Sequence, residues 1–172
     1  ITGNVVDLMI RKIGKLPKQT RQALTTGACV GARFDLWTLA LLTDCSIIEV
    51  ASLLWPAVED GLLVPEDKQH KLLANMEPTD SGAAQLNPVD RFRHDQIQQA
   101  AYELIPRQER TPVHLQIGRL LLQKYSKQEL DEKLFYVTEQ LNQRRSLITS
   151  SAETRRLVEL NMEAAKRAKD SS

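Results

Sequence analysis

The sequence predicts a mainly α protein that carries a small β element. Three observations predict it. Aromatic residues make up only 5% of the 172 residues against 42% hydrophobic ones, so the core must be built from Leu, Ile, Val and Ala, which suits helix-on-helix packing better than a β-sandwich. Apolar residues recur at three- and four-residue spacing through most of the chain. That period is interrupted by a short apolar stretch at 62–65 and by Arg91-Phe92-Arg93, which read as two strands. A charged fraction of 26% is ordinary for a globular protein, and the length suffices for one domain or two small ones.

The elements follow in order. Val6, Met9, Ile10 and Ile13 give residues 4–15 one apolar helical face. Leu16-Pro17 opens a second helix with Leu24 and Ala28 inward and Gly31 at its end. Phe34-Asp35 starts a third, in which Asp35 accepts from the first free amides and Leu36, Leu39 and Ala40 face inward. Ser46 and Glu49 form a capping box for a fourth helix, continued by Val50, Leu53, Leu54 and Ala57. Pro56 should kink it or tighten its last turn, and Gly61 ends it.

Residues 66–88 are polar and contain Pro78, Gly82 and Pro88, so they read as a loop with a short strand near Leu72-Leu73. Phe92 of the returning strand points inward and its two arginines outward. Asp95 and Gln98 then cap a helix with Ile97, Ala100, Ala101 and Leu104 on one face, which stops at Pro106. Beyond it, Val113, Ile117, Leu120 and Leu121 define one helix. Leu130, Leu134, Val137 and Leu141 define the next, and Leu157, Leu160, Ala164 and Ala168 a third. Three helices, strand, loop, strand and helix is the order of a winged-helix-like domain with a small β wing and appended helices. The expected organisation is such a domain over 1–105, with the polar loop 66–88 in the wing. An antiparallel helical arm over 106–172 follows, the start of a bundle or of a helical-repeat superhelix.

Charge is balanced at +1 overall but unevenly placed. Residues 1–33 carry Arg11, Lys12, Lys15, Lys18, Arg21 and Arg33 against Asp7 alone, whereas 34–67 carry seven acids and no Lys or Arg. Cys29 and Cys45 sit in apolar stretches without metal-ligand neighbours and read as buried free thiols of a reducing, cytoplasmic compartment. No apolar run has the length of a membrane span. The start Ile1-Thr2-Gly3 has no signal-peptide character, and a chain that opens this way looks cut from a longer protein.

No active site assembles from motifs: the sequence has no phosphate-binding glycine loop and no zinc-spaced Cys/His set, so neither catalytic residues nor metal ligands are expected. Of the three histidines, His70 falls in the polar loop and reads as ordinary, and His114 as a half-buried packing or capping residue. His94 is more informative, because it stands where a strand meets a helix N-terminus, a place that favours anions. Spacing leaves two readings for it: contact with a ligand, or simple packing beside a capping Asp95. Nucleic-acid binding is disfavoured, because the helix a winged helix would lay in the major groove, 46–60, carries Glu49, Glu59 and Asp60 and no basic residue.

Several blocks occur in an order that resembles a known family. They are Leu16-Pro17, residues 28–35 (ACVGARFD), 53–57 (LLWPA), Gly61-Leu62-Leu63, 92–102 (FRHDQIQQAAY), Arg110 and 114–121 (HLQIGRLL). Together they resemble the winged-helix and helical-arm region that follows the nucleotide-binding core of bacterial STAND-type (AAA-like) signalling ATPases. The nearest type is the multidomain one that joins a Ser/Thr kinase, the ATPase, a GAF domain and a histidine kinase of two-component signalling. The resemblance covers roughly residues 4–170.

It implies a non-catalytic regulatory module that packs on the nucleotide-binding core of its own parent chain and senses the nucleotide state. His94, with Arg93 as a weaker candidate, would approach the phosphate of ADP or ATP held by the parent, and Asp95 would support His94 as a helix cap. The residues that bind and hydrolyse ATP would lie outside this chain, which would hold no cofactor itself, and the arm would receive protein partners. Two other readings stand beside it. One is a winged-helix DNA-binding transcription regulator, and the other a helical protein-interaction scaffold, which would gain if helix 46–60 proved exposed and apolar.

Overall fold

The computed structural model describes residues 2–77, 79–143 and 145–170, and the chain folds as two compact units, 1–106 and 107–172. The first contains α1 (Thr2–Gly14), α2 (Lys18–Val30), β1 (Arg33–Asp35), α3 (Leu36–Thr43), α4 (Ile47–Glu59) and β2 (Leu63–Pro65). It continues with α5 (Gln69–Ala74), a 3-10 turn (Ser81–Gln85), β3 (Val89–Phe92) and α6 (Asp95–Glu103). Among the described residues the protein is mainly helical with one small antiparallel sheet.

Local chemistry starts and stops these helices. Val6 and Ile13 bury one side of α1, which packs on α6. Asp35 caps α3 as its position predicts: Thr38 donates to it through both backbone N and side-chain Oγ1, each at 2.9 Å. α3 closes at Asp44, left-handed at φ 54°, a conformation Asp tolerates better than most side chains. α4 opens with the expected capping box, Ser46 N donating to Glu49 Oε2 at 2.7 Å and Glu49 N to Ser46 Oγ at 3.2 Å. These bonds from Ser46 hold the Glu49 carboxyl below its usual range. Gly61, at φ 68°, turns the chain out of α4, with the Arg93 guanidinium lying over it.

β3 lies at the centre of the sheet, with β1 and β2 antiparallel on either side. Its register sets Phe34 opposite Asp90, and Leu63 opposite Phe92. Asp90 and Phe92 therefore face inward while Arg91 faces out, the alternation expected of a half-buried strand. Phe34 and Phe92 meet edge to face with ring centres 5.7 Å apart. Around them Leu24, Leu36, Leu39, Leu54 and Leu62 are buried, each contributing about 2 kcal/mol by removal of apolar surface from water.

The structure corrects the sequence reading in four places here. Phe34 belongs to a strand, β1, because its partner β3 is supplied by residues far along the chain. Leu72-Leu73 is not a strand and 66–88 is not simply a loop: His70 and Leu73, three residues apart, are buried on one side of α5, which packs on α4, while Leu72 is 54% exposed. Leu104 is exposed and Ile105 takes the inward place, because α6 ends at Glu103 and the chain leaves the helical period. Of the two cysteines, neither in a disulfide, Cys29 is buried but Cys45 only partly so.

The second unit contains α7 (Arg107–Lys124), α8 (Lys127–Glu132), α9 (Leu134–Asn142), a 3-10 turn (Arg145–Leu147) and α10 (Ser151–Asp170). The single helix expected over Leu130–Leu141 is two, separated at Lys133, whose φ −108° and ψ 18° leave the helical region. A second capping box, Ser126 with Glu129, starts α8. α7 lies so close to α9 that a Cβ added at Gly118 would stand 2.6 Å from Leu141 Cδ2. α10 packs on α9 through the face formed by Leu157, Leu160 and Ala164, whereas Ala168 is exposed. Arg119 reaches both Glu153 oxygens at 2.6 and 2.9 Å, and Arg167 bonds the carbonyl and carboxylate of Asp131.

Candidate functional site at the junction of β3 and α6

β3 hands the chain to α6 through three consecutive residues, Arg93, His94 and Asp95, and all three side chains are exposed. Arg93 N still donates to Leu62 O at 3.1 Å, so the backbone is held against the end of β2 up to this point. His94 is the N-cap, extended at φ −145° and ψ 149°, and its carbonyl accepts from Ile97 N at 2.9 Å. The structure therefore brings the predicted residues to one surface turn beside the free amides that open α6. The Arg93 guanidinium and the His94 imidazole flanking those amides form chemistry suited to an oxyanion, while the Asp95 carboxylate brings one negative charge to the same turn.

Two expectations for this turn need correction. Asp95 is the first helical residue and does not cap, since His94 occupies the N-cap and makes no side-chain capping bond. Gln98 does not cap either: its Nε2 donates to Ala28 O at 3.2 Å and ties α6 to α2. Both follow from the helix starting at Asp95, one residue before the place a capping Asp95 would require.

Beside β3 lies a second group that the sequence reading passed over. His70 of α5 and Asp90 of β3 are both fully inaccessible to solvent. His70 Nδ1 lies 2.8 and 2.7 Å from the two Asp90 oxygens, and Nε2 lies 2.9 Å from the carbonyl oxygen of Ala51 in α4. The ring meets Trp55 edge to face at 5.7 Å. Burial by itself would lower the pKa of His70. The hydrogen bond and charge of Asp90, the Ala51 carbonyl and the charge of Asp67 outweigh burial and raise it above the ordinary 6.5. One signal in the sequence could have found this pair. Asp90 shares the inward face of its strand with Phe92, and a buried carboxylate demands a partner.

His114 is likewise buried rather than half-buried, with Nδ1 2.6 Å from Gln140 Oε1, because α7 presses it against α9. The sequence could not show that Gln140 stands across from it.

The apolar side of α4, formed by Ile47, Ile48, Val50, Ala51, Leu54 and Ala57, is buried within the first unit, and Glu49, Ser52 and Glu59 are exposed. Among the described residues no group of three or more His, Cys, Asp or Glu side chains is placed to hold a metal ion. Among the same residues no single helix is long and apolar enough to cross a membrane.

No family model and no solved structure matches this chain. Over 99% of its length it is similar to part of a protein described as hybrid signal transduction histidine kinase G of Dictyostelium discoideum, at 26% identity. The chain spans 6% of that relative's length. The likeness is distant and is to a signal-transduction protein.

Proposed function

We propose that this chain is a non-catalytic regulatory module of a multidomain, ATP-dependent signal-transduction protein. In this reading the first unit is a winged helix that packs on the nucleotide-binding core of its own parent chain. The second begins a helical arm that receives protein partners. The observation that carries the proposal is the likeness to a signal-transduction histidine kinase along nearly the whole chain. The helix, strand, helix, helix, strand order running from α2 to β2, closed after α5 by the central strand β3, supports the winged-helix part. The exposed turn at Arg93 and His94 supports a contact with nucleotide phosphate.

In this mechanism His94 contacts ADP in the closed form of the parent and loses that contact on exchange. The differential contact biases a two-state switch. ATP binding and hydrolysis belong to residues beyond this chain. Two observations disfavour the DNA-binding reading. The exposed side chains of α4 include Glu49 and Glu59, which a phosphate backbone would repel, and α5 lies packed against that helix. The burial of the apolar side of α4 removes the feature that favoured an interaction scaffold built on it.

The test compares ADP binding by this chain and by a parent form extended through its expected ATPase core, each with native His94 and with His94→Ala. The short form should not bind. The long form should bind tightly, and about tenfold more weakly without His94, as loss of one charge-assisted contact implies. Equal binding by both long forms would return His94 to a packing role.

A further inference from the structure

We propose that His70 and Asp90 form a proton-dependent clamp, which holds α5 and the connection over 66–88 against α4 and β3 while the pair carries its extra proton and frees them when that proton leaves. The inference stands apart from the nucleotide reading, because it uses no residue of the β3–α6 turn.

The geometry requires the extra proton. A neutral imidazole has one N–H and one lone pair. Both His70 nitrogens face oxygens: Nδ1 the two of Asp90, Nε2 the carbonyl of Ala51. A carbonyl offers no proton, and neither does an ionised carboxylate. All these contacts are satisfied only by an imidazolium against an aspartate, or by the equivalent state with the shared proton on the carboxyl. Removing that proton leaves a ring lone pair aimed at an oxygen. Both side chains are sealed from solvent, so water does not replace the lost bond.

The surroundings act in one direction. From β3 the facing charge is Asp90, and from the turn before α5 it is Asp67. α4 contributes the Ala51 carbonyl and the edge-to-face Trp55 ring. The cations nearest in sequence, Lys68 and Lys71 of the α5 segment and Arg91 of β3, are exposed. The charges that face the ring are therefore negative and favour its proton.

What the clamp holds is a segment tied at its start by the Arg33–Glu66 ion pair and by Glu66 N donating to Val89 O, and beyond that by few buried side chains. α5 has six residues, too few to persist as a helix without tertiary support. Among the described residues of 66–88, the buried ones are His70, Leu73, Ala83 and Pro88. His70 is thus one of four buried anchors, and the one that depends on charge.

The direction with pH follows from linkage. The folded-state pKa of His70 is raised, so the clamp is at full strength below about pH 6.5 and is lost as pH rises through the folded value. Across that window one proton is released on opening, so the opening constant grows about tenfold per pH unit.

The experiment uses the 172-residue chain, labelled with 15N. Ring-nitrogen spectra at pH 6.5 should show both His70 nitrogens protonated, or Nε2–H with the shared proton between Nδ1 and Asp90. Hydrogen exchange of the amides in 69–74, corrected for intrinsic rates between pH 6 and 9, should show opening that rises about tenfold per pH unit across the window. Asp90→Asn should flatten that slope. Its carboxamide can donate to Nδ1 while Nε2–H keeps the Ala51 carbonyl, which satisfies a neutral ring. A His70–Asp90 pair carrying no extra proton at pH 6.5, or Asp90→Asn opening with the native slope, overturns the proposal. If Asp90→Asn does not fold, the ring titration of the native chain decides by itself.

Discussion

Each of the two units buries one histidine, and they do it differently. In the first, His70 meets a carboxylate of β3 and a carbonyl and an indole ring of α4, so that two separate elements converge on it. In the second, the Nδ1 of His114 meets the amide of Gln140, with both residues on neighbouring helices. The same side chain is a charged junction in one unit and a polar contact between packed helices in the other. The difference traces to topology. A three-stranded sheet with a long connection brings an inward-facing acid against a distant short helix, whereas a set of packed helices has no such connection to secure.

The comparison can be broken most directly at His70. His70→Ala should leave Asp90 buried without its partner and cost about 3–5 kcal/mol, the penalty typical of an uncompensated buried charge. Both tryptophans, Trp37 and Trp55, lie in the first unit, so denaturant unfolding followed by tryptophan fluorescence reads that loss. In the second unit, Gln140→Leu removes the acceptor facing His114 Nδ1 and should cost about 1–3 kcal/mol. Hydrogen exchange over 107–170 measures it. Equal costs at the two sites would mean that charge contributes nothing special to the first.

A smaller effect sharpens the contrast through two capping boxes of the same chemistry. Ser46→Ala should cost about 1 kcal/mol, because α4 is a 13-residue helix with a buried face and its start is coupled to the core. Ser126→Ala should cost only a few tenths of a kcal/mol, because α8 has six residues and none of them is buried, so that its fraying is cheap. Thermal melts of the two variants side by side would measure the ratio, and a larger loss at Ser126 would contradict the link between cap strength and burial.

The readable parts of the fold were those whose cause is local. The Asp35 cap and the Ser46–Glu49 box are each settled within four residues, and both form as the spacing predicts. The apolar periods of α1, α2 and α10 likewise mark the buried faces, apart from single residues at their edges such as Ala168. The parts that were not readable have distant causes. β1 is three residues long, and its pairing lies more than fifty residues away in β3. α5 carries no long apolar period, because a helix of six residues needs only His70 and Leu73 to define its buried side. The separation of α8 from α9 is set by the backbone at Lys133, where no proline or glycine announces it.

The candidate site divides along the same line. Its place, at a strand that turns directly into a helix, could be read from Arg91-Phe92-Arg93 followed by a helical period. The N-cap residue could not, because one residue of uncertainty in a helix start exchanges the roles of His94 and Asp95.

What the sequence determined by itself is the mainly helical class with two strands around residues 62–65 and 91–93, because periodicity, caps and turn residues act over a few positions. What only the tertiary structure decided is which polar side chains the core would enclose. His70 reads as a loop residue until β3 places Asp90, and α4 places the Ala51 carbonyl, within hydrogen-bond reach of its ring. Burial is a property of the assembled elements, and the worth of a charge depends on burial.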